Sequence, residues 1–271
     1  MGKYRFILMA FIVVFVTTLV SMQGVEAAYE TKEYSWNYKP EKDNKPVTTE
    51  PHYLELLNKH NGVFIGDINK KELYLTFDNG YENGYTNQVL DVLKEKKVAG
   101  AFFITGHFLS TEQDLVMRMV NEGHIVGNHS YHHPSLPAVD DDRLKRELNN
   151  LKNEFTELTG VKEMNYLRPP RGTFSDKSLA LSRKLGYTNV FWSMAYKDWE
   201  VDKQKGANYA YDQIMKRIHP GAVMLLHSVS RDNAEALGRV IDECRKQGYV
   251  FKSLDELMVG DFVNGLSEED K

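Results

Sequence analysis

One cysteine, Cys244, occurs in the 271 residues. A lone thiol closes no intramolecular disulfide, and no Cys/His partner spacing surrounds it, so stability must come from a packed core rather than from covalent staples. Net positive charge is missing as well: 34 Lys and Arg face 38 Asp and Glu, a formal charge of −4, which excludes the basic footprint of a nucleic-acid binder. Beyond the first twenty-odd residues there is no long apolar run, no internal repeat and no low-complexity block. Membrane-spanning and repeat architectures are thereby set aside for the bulk of the chain.

What is there begins with Lys3 and Arg5, an uncharged stretch from Phe6 to Val20, and small residues around Ala27 and Ala28. This reads as a signal peptide over residues 1–27. An uncleaved anchor is the alternative, because the apolar run falls only a little short of the ~18 residues that suggest a span. Either way the remainder is expected outside the cytoplasmic membrane, secreted or in the cell wall, with no membrane span after cleavage. Loss of Lys3, Arg5 and Glu26 would move the formal charge from −4 to about −5. The remaining length suits one domain with a sizeable core.

Residues 28–65 read as an extended N-terminal arm, polar but carrying Tyr29, Tyr34, Trp36 and Tyr38 to pack against a domain. From residue 66 to 260 the pattern is regular, and 261–271 is an acidic tail. Apolar strands are expected at Leu73–Phe77, Ala101–Ile104, His124–Gly127, Tyr166–Leu167, Thr188–Trp192, Ala222–Leu226 and Tyr249–Lys252. Helical periods fall at Gly84–Lys96, Asp114–Glu122, Asp140–Thr159, Asp176–Leu185, Ala207–Ile218 and Asp232–Gln247. Alternating strands and helices make an α/β domain with a parallel sheet of about seven strands. Periodicity leaves open whether that sheet closes.

Chemistry gathers where apolar runs end. Leu73-Tyr74-Leu75 runs into Thr76-Phe77-Asp78-Asn79-Gly80, a strand that stops on an acid and an amide. His129-Ser130-Tyr131-His132-His133 follows the third strand. Histidines four apart on a helical turn would face the same way, so His129 and His133 can share one divalent metal while His132 points elsewhere and Ser130 caps. Taken alone, such a loop is as readily a solvated turn. Arg168-Pro169-Pro170-Arg171-Gly172, Asp198-Trp199 and Leu225-Leu226-His227 also stand at element ends, and polar groups gathered at strand ends make a rim suited to catalysis.

In this order the five segments resemble the polysaccharide deacetylase family, the NodB-like, carbohydrate esterase 4 group, across about Lys71 to Leu254. The Tyr81-Glu82-Asn83-Gly84 continuation and the Arg168–Gly172 turn look most like the peptidoglycan N-acetylmuramic acid deacetylases of spore-forming bacteria. The resemblance implies a distorted (β/α)-barrel, a divalent metal cofactor (Zn²⁺, with Mn²⁺ or Co²⁺ as alternatives), a peptidoglycan glycan strand as partner, a monomer, and a role in spore cortex modification. It makes Asp78 the general base, held ionised by Arg168, and His227 the general acid, supported by Asp198. Asn79, His129 and His133 would hold the metal. The family's second position is usually aspartate, and Asn79 offers only a neutral oxygen. The Arg171 N–H, behind the donor-less Pro170, would meet a developing oxyanion, and its side chain would suit an acidic sugar. Leu226 or Leu225 would wall the acetyl methyl, and Trp199 would cover the histidine. Trp192, Tyr81 and Tyr131 are open between sugar stacking and plain packing. Two alternatives stand beside this reading: a deacetylase of N-acetylglucosamine, chitin-like or xylan substrates, and an inactive wall-binding module.

Overall fold

In a computed structural model of the protein, residues 29–259 are described. The expected signal peptide and acidic tail lie outside them. The elements run β1 (Tyr34–Ser35), α1 (Pro51–His60), β2 (Glu72–Asn79), α2 (Thr86–Lys96), β3 (Ala101–Ile104), α3 (Gly106–Thr111), α4 (Gln113–Asn121), β4 (Ile125–Asn128), α5 (Asp141–Thr159), β5 (Tyr166–Leu167), β6 (Thr173–Phe174), α6 (Asp176–Lys184), β7 (Thr188–Asn189), α7 (Ala207–Met215), β8 (Ala222–His227), α8 (Arg231–Lys246) and β9 (Val250–Lys252). All seven expected strands are present. Six form the order β7-β5-β4-β3-β2-β8, with β9 paired to β2, and every pairing in this sheet is parallel.

The strands were legible as apolar runs because both faces are covered. Leu73, Leu75 and Phe77 of β2 pack outward among Val89, Leu90 and Leu93 of α2. Tyr74 turns to the other side with Phe103, Tyr166 and Val223. The sheet curls, and its two edges are tied by single bridges, Met194 to Met224, Val63 to Val190 and Ile65 to Ala222. A distorted barrel results. Register then fixes the rim: Asp78 lies opposite both Phe103 and His227, Ile104 opposite Asn128, and Asn128 opposite Leu167, so the residues at or just past four strand ends share one end of the barrel.

Two local expectations change. The arm of residues 28–65 is extended only as far as Glu50. Pro51, placed in the first turn where a missing N–H costs nothing, starts α1, and Asn61 in the left-handed region (φ 54°) ends it. Upstream, β1 pairs antiparallel with β6, Tyr34 opposite Phe174. Trp36 is buried against Phe64, Phe174 and Phe191, and its indole N–H donates to the Trp192 carbonyl at 2.9 Å. The arm is therefore part of the domain's packing. The second change is α3, six residues capped by Thr105, whose hydroxyl accepts from the Phe108 N–H; too short to show a helical period, it was not anticipated.

Candidate active site

Asp78, next to last in β2, is nearly buried, 8% exposed. Its Oδ1 accepts from Arg168 Nη1 at 2.9 Å, and the same nitrogen reaches Thr76 Oγ1 at 2.8 Å. Arg168 is fully buried, lies over the Phe103 ring at 4.2 Å, and donates from Nε and Nη2 to the carbonyls of Val190 and Phe191. A guanidinium pinned at this many points is a fixed charge rather than a mobile one. Burial works against ionisation of Asp78, but the charges of Arg168 and the neighbouring histidines outweigh it and hold the carboxyl below its ordinary range.

His129 and His133 do not share a helical turn. The loop after β4 is irregular, with Ser130 (φ 62°) and His133 (φ 59°) both left-handed, and these two reversals bring the rings to a centroid distance of 4.8 Å. Ser130 does accept from the His133 N–H, at 2.9 Å. The Arg168 carbonyl can only accept, so His129 Nδ1, 2.7 Å away, carries the hydrogen and Nε2 keeps its lone pair, 3.5 Å from Asp78 Oδ2. Burial lowers the pKa of His129, and burial with the adjacent His129 lowers that of His133 to about 4, so both rings are neutral at physiological pH. His132 points elsewhere, to Glu147, a buried carboxylate of α5 that also accepts the His132 N–H at 2.7 Å. Sequence reasoning missed Glu147, fifteen residues from the loop it anchors.

Asn79 is fully buried, and its Nδ2 donates to Ser228 Oγ at 2.6 Å. Its Oδ1 is buried with no hydrogen-bond partner. An amide oxygen left without a donor and two neutral imidazoles, His129 and His133, are donor types that fit a divalent cation. Among the described residues no group of three or more His, Cys, Asp and Glu side chains offers another.

Across the cleft, His227 ends β8. Its Nδ1 faces Asp198 Oδ1 at 2.7 Å, and its backbone N–H donates to Asp198 Oδ2 at 2.9 Å. Asn233 Nδ2 fills the second oxygen of Asp198. Burial disfavours the imidazolium, but Asp198 outweighs it and raises the His227 pKa. Trp199, 47% exposed, stands with its ring 5.5 Å from that of His227.

Asp78, His129, His133, Trp199 and His227 line a cleft of about 770 Å³ with Tyr81, Thr105, Tyr131 and Val229, while Asn79, Arg168 and Asp198 lie behind its wall. Leu226 is not in it. Pairing opposite Phe77 puts Leu226 in the helix-facing core, so the expected wall for a methyl group is not this residue, and Leu225 does not line the cleft either. Val229, three residues beyond Leu226, is the aliphatic side chain that does. Pro170 is buried in a turn beside the site, and Arg171, left-handed at φ 59°, is exposed yet near enough for its charge to depress the His133 pKa. Tyr81 is exposed at the mouth; Trp192 packs over Gly172, and Tyr131 covers Gly106 while donating to Glu154.

Residues 66–190 match the family model described as polysaccharide deacetylase. The chain is 48% identical over 231 residues to the peptidoglycan-N-acetylmuramic acid deacetylase PdaA of Bacillus subtilis, covering 85% of this chain and 88% of the relative. It is 52% identical over 233 residues to an uncharacterised 30.6 kDa protein of Geobacillus stearothermophilus, covering 86% and 88%. The solved structure of Bacillus subtilis PdaA, a family 4 carbohydrate esterase, superposes with a TM-score of 0.84 at 47% identity, over 86% of this chain and 99% of that one. A family 4 carbohydrate esterase from Bacillus anthracis does so with a TM-score of 0.74 at 48% identity, over 86% and 99%.

Proposed function

The chain belongs to the polysaccharide deacetylase family, and from that premise we propose that it is a peptidoglycan deacetylase that hydrolyses the N-acetyl group of N-acetylmuramic acid in glycan strands outside the cytoplasmic membrane. One observation carries the reading: a carboxylate held by a buried arginine and an imidazole held by a buried carboxylate face the same cleft from adjacent strands, Asp78 opposite His227. That is an acid–base pair with opposite tuning, one group kept as the anion and the other kept protonatable.

Asn79, His129 and His133 would hold a divalent cation, whose contribution when bound is Lewis acidity toward the acetyl carbonyl and the attacking water. The remaining steps belong to the protein. Arg168 occupies Asp78 Oδ1, so Oδ2 is the oxygen that takes the proton of the attacking water. Asp198 occupies Nδ1 of His227, so Nε2 delivers a proton to the amide nitrogen as the C–N bond breaks and acetate and the amine leave. Trp199 restricts water around that imidazole, and Arg171 supplies a cation for the lactyl carboxylate that distinguishes muramic acid.

The test is mass spectrometry of peptidoglycan fragments after treatment, with acetate assayed in parallel before and after chelation. Loss of acetyl from muramic acid, abolished by chelation and restored by Zn²⁺, Mn²⁺ or Co²⁺, is the expected result. Deacetylation confined to glucosamine would overturn the substrate, and acetate release indifferent to chelation would overturn the ligand set.

A further inference from the structure

We propose that Glu82, Thr86 and Ser228 are positioning residues for Asn79: they form a hydrogen-bond relay whose proton count admits an amide, and not a carboxylate, at residue 79 and turns its oxygen toward the metal position. The metal half of this inference rests on the reading of Asn79 as a ligand; the relay itself does not.

Asn79 Nδ2 lies 2.6 Å from Ser228 Oγ, and Ser228 Oγ lies 2.8 Å from Thr86 Oγ1. Thr86 Oγ1 in turn contacts Glu82 Oε2, while Glu82 Oε1 accepts the Thr86 backbone N–H at 3.2 Å. Asn79, Thr86 and Ser228 are all fully buried, so water is not available to supply a missing partner. Direction follows from one end. A carboxylate only accepts, so the Thr86 hydroxyl must donate to Glu82. With its single proton used, Thr86 can only accept from Ser228. Ser228, its proton likewise used, can only accept from residue 79. Three contacts thus share two hydroxyl protons, and the third must be an N–H of Asn79. The amide is thereby fixed with nitrogen toward Ser228, which leaves Oδ1 as the buried, unpartnered atom facing the other way.

An aspartate at 79 removes the third proton, and two oxygens would then abut with no hydrogen between them. Glutamine at 82 reverses the logic. With its Oε1 still accepting the Thr86 N–H, its Nε2 donates to Thr86 Oγ1, Thr86 donates to Ser228, and Ser228 donates to residue 79, which now has to be an acceptor. Asn79→Asp alone breaks the count; Glu82→Gln alone is met only by turning the Asn79 carboxamide so that Oδ1 accepts from Ser228 and Nδ2 faces the metal position, and the two substitutions together need no turn.

Chelator-treated protein with Asn79→Asp, Glu82→Gln, both, and both with Ser228→Ala is compared by thermal unfolding. Zn²⁺ affinity of the native protein and the Ser228→Ala variant is measured by competition with a chromophoric chelator. Asn79→Asp alone is expected to lower the metal-free Tm by about 4–10 °C, and Glu82→Gln alone by less, because the carboxamide can turn to accept from Ser228. The pair should recover most of it, and Ser228→Ala should abolish the recovery. Ser228→Ala alone should weaken Zn²⁺ binding about 10-fold or more, because it frees the carboxamide to turn. Additive losses in the pair, or a recovery that persists without Ser228 and so reflects charge alone, would overturn the relay. A recovery that depends on Ser228 beside unchanged Zn²⁺ affinity in Ser228→Ala would support the relay and remove Asn79 from the ligand set.

Discussion

Two histidine–carboxylate pairs in this molecule have nearly the same bond and opposite uses. His227 Nδ1 meets Asp198 Oδ1 at 2.7 Å, and His60 Nε2 meets Asp176 Oδ1 at 2.6 Å. The difference lies in what surrounds them. The His227 side chain keeps 20% exposure and opens on the cleft beneath Trp199. His60 is buried, with Tyr29 edge-on at 5.9 Å, and its carboxylate is also bound by Lys59 at 2.8 Å and by the backbone N–H of Glu30 at 3.2 Å. Asp176 is therefore a staple between the arm, α1 and the start of α6. A His–Asp pair is placed for chemistry when one ring nitrogen is left facing a cavity, and holds the fold when the carboxylate gathers several chain segments.

The largest effect should separate the two outright. His227→Ala is expected to lower kcat for acetate release about 10²–10⁴-fold, the usual share of a general acid, while His60→Ala leaves kcat unchanged at a temperature where both variants are folded. Comparable losses in both would break the distinction. Asp78→Ala should join the His227 class. Arg168→Ala is a poorer probe, because stripping the partner from a buried carboxylate costs about 3–5 kcal/mol and confuses chemistry with folding.

Asp198→Asn sharpens the active member. Burial alone would push the His227 pKa below the ordinary imidazole value of 6.5, and Asp198 reverses that. A raised pKa keeps the acid form at pH values where a free imidazole has lost it. Neutralising Asp198 lets burial prevail, so the alkaline limb of kcat/KM should move to lower pH. An unmoved limb would mean that another group sets it.

Asp176→Asn sharpens the structural member. Burial opposes its ionisation, but the hydrogen bonds from His60, Lys59 and the Glu30 N–H outweigh that and hold its pKa below 3.8. A depressed carboxylate contributes stability that is present above its unfolded pKa and lost as pH falls through the lower folded value. The variant should lose about 2 kcal/mol at neutral pH, read from the urea midpoint, and should lose less than the native protein on acidification below about pH 4. Catalysis should not change.

The same contrast explains what could be read without a structure. His227 announced itself because a doubly covered parallel strand is an apolar run, and a polar residue ending one is visible in the sequence. Asp78 and Arg168 showed for the same reason. His60 and Asp176 did not, since their meaning is a contact across 116 positions between a helix read as extended arm and the first residue of another helix. The His129–His133 spacing suggested two rings that do come together, but through the wrong backbone: i and i+4 converge on a helix, and here two left-handed residues do it. Ser228 follows one quoted segment and Glu82 lies inside another, yet only distances show them joined to Asn79.

The smallest effect concerns selectivity, which neither histidine can supply. As the proposed general acid, His227 would protonate a sugar amine whether the sugar is glucosamine or muramic acid, so discrimination must come from a group that meets the lactyl carboxylate. Arg171 is the cation whose charge reaches His133, and it is exposed. Exposed ion pairs contribute about 0.2–1 kcal/mol, so Arg171→Gln should raise KM for muramic-acid substrates only about 2–5-fold, with kcat little altered and the effect shrinking as salt rises. Arg171→Lys keeps the charge but not the paired donors, and should fall between. A KM increase of the same size on glucosamine-only oligomers would assign Arg171 to general glycan binding instead, since a contact that reads the lactyl group has nothing to lose on a sugar without one.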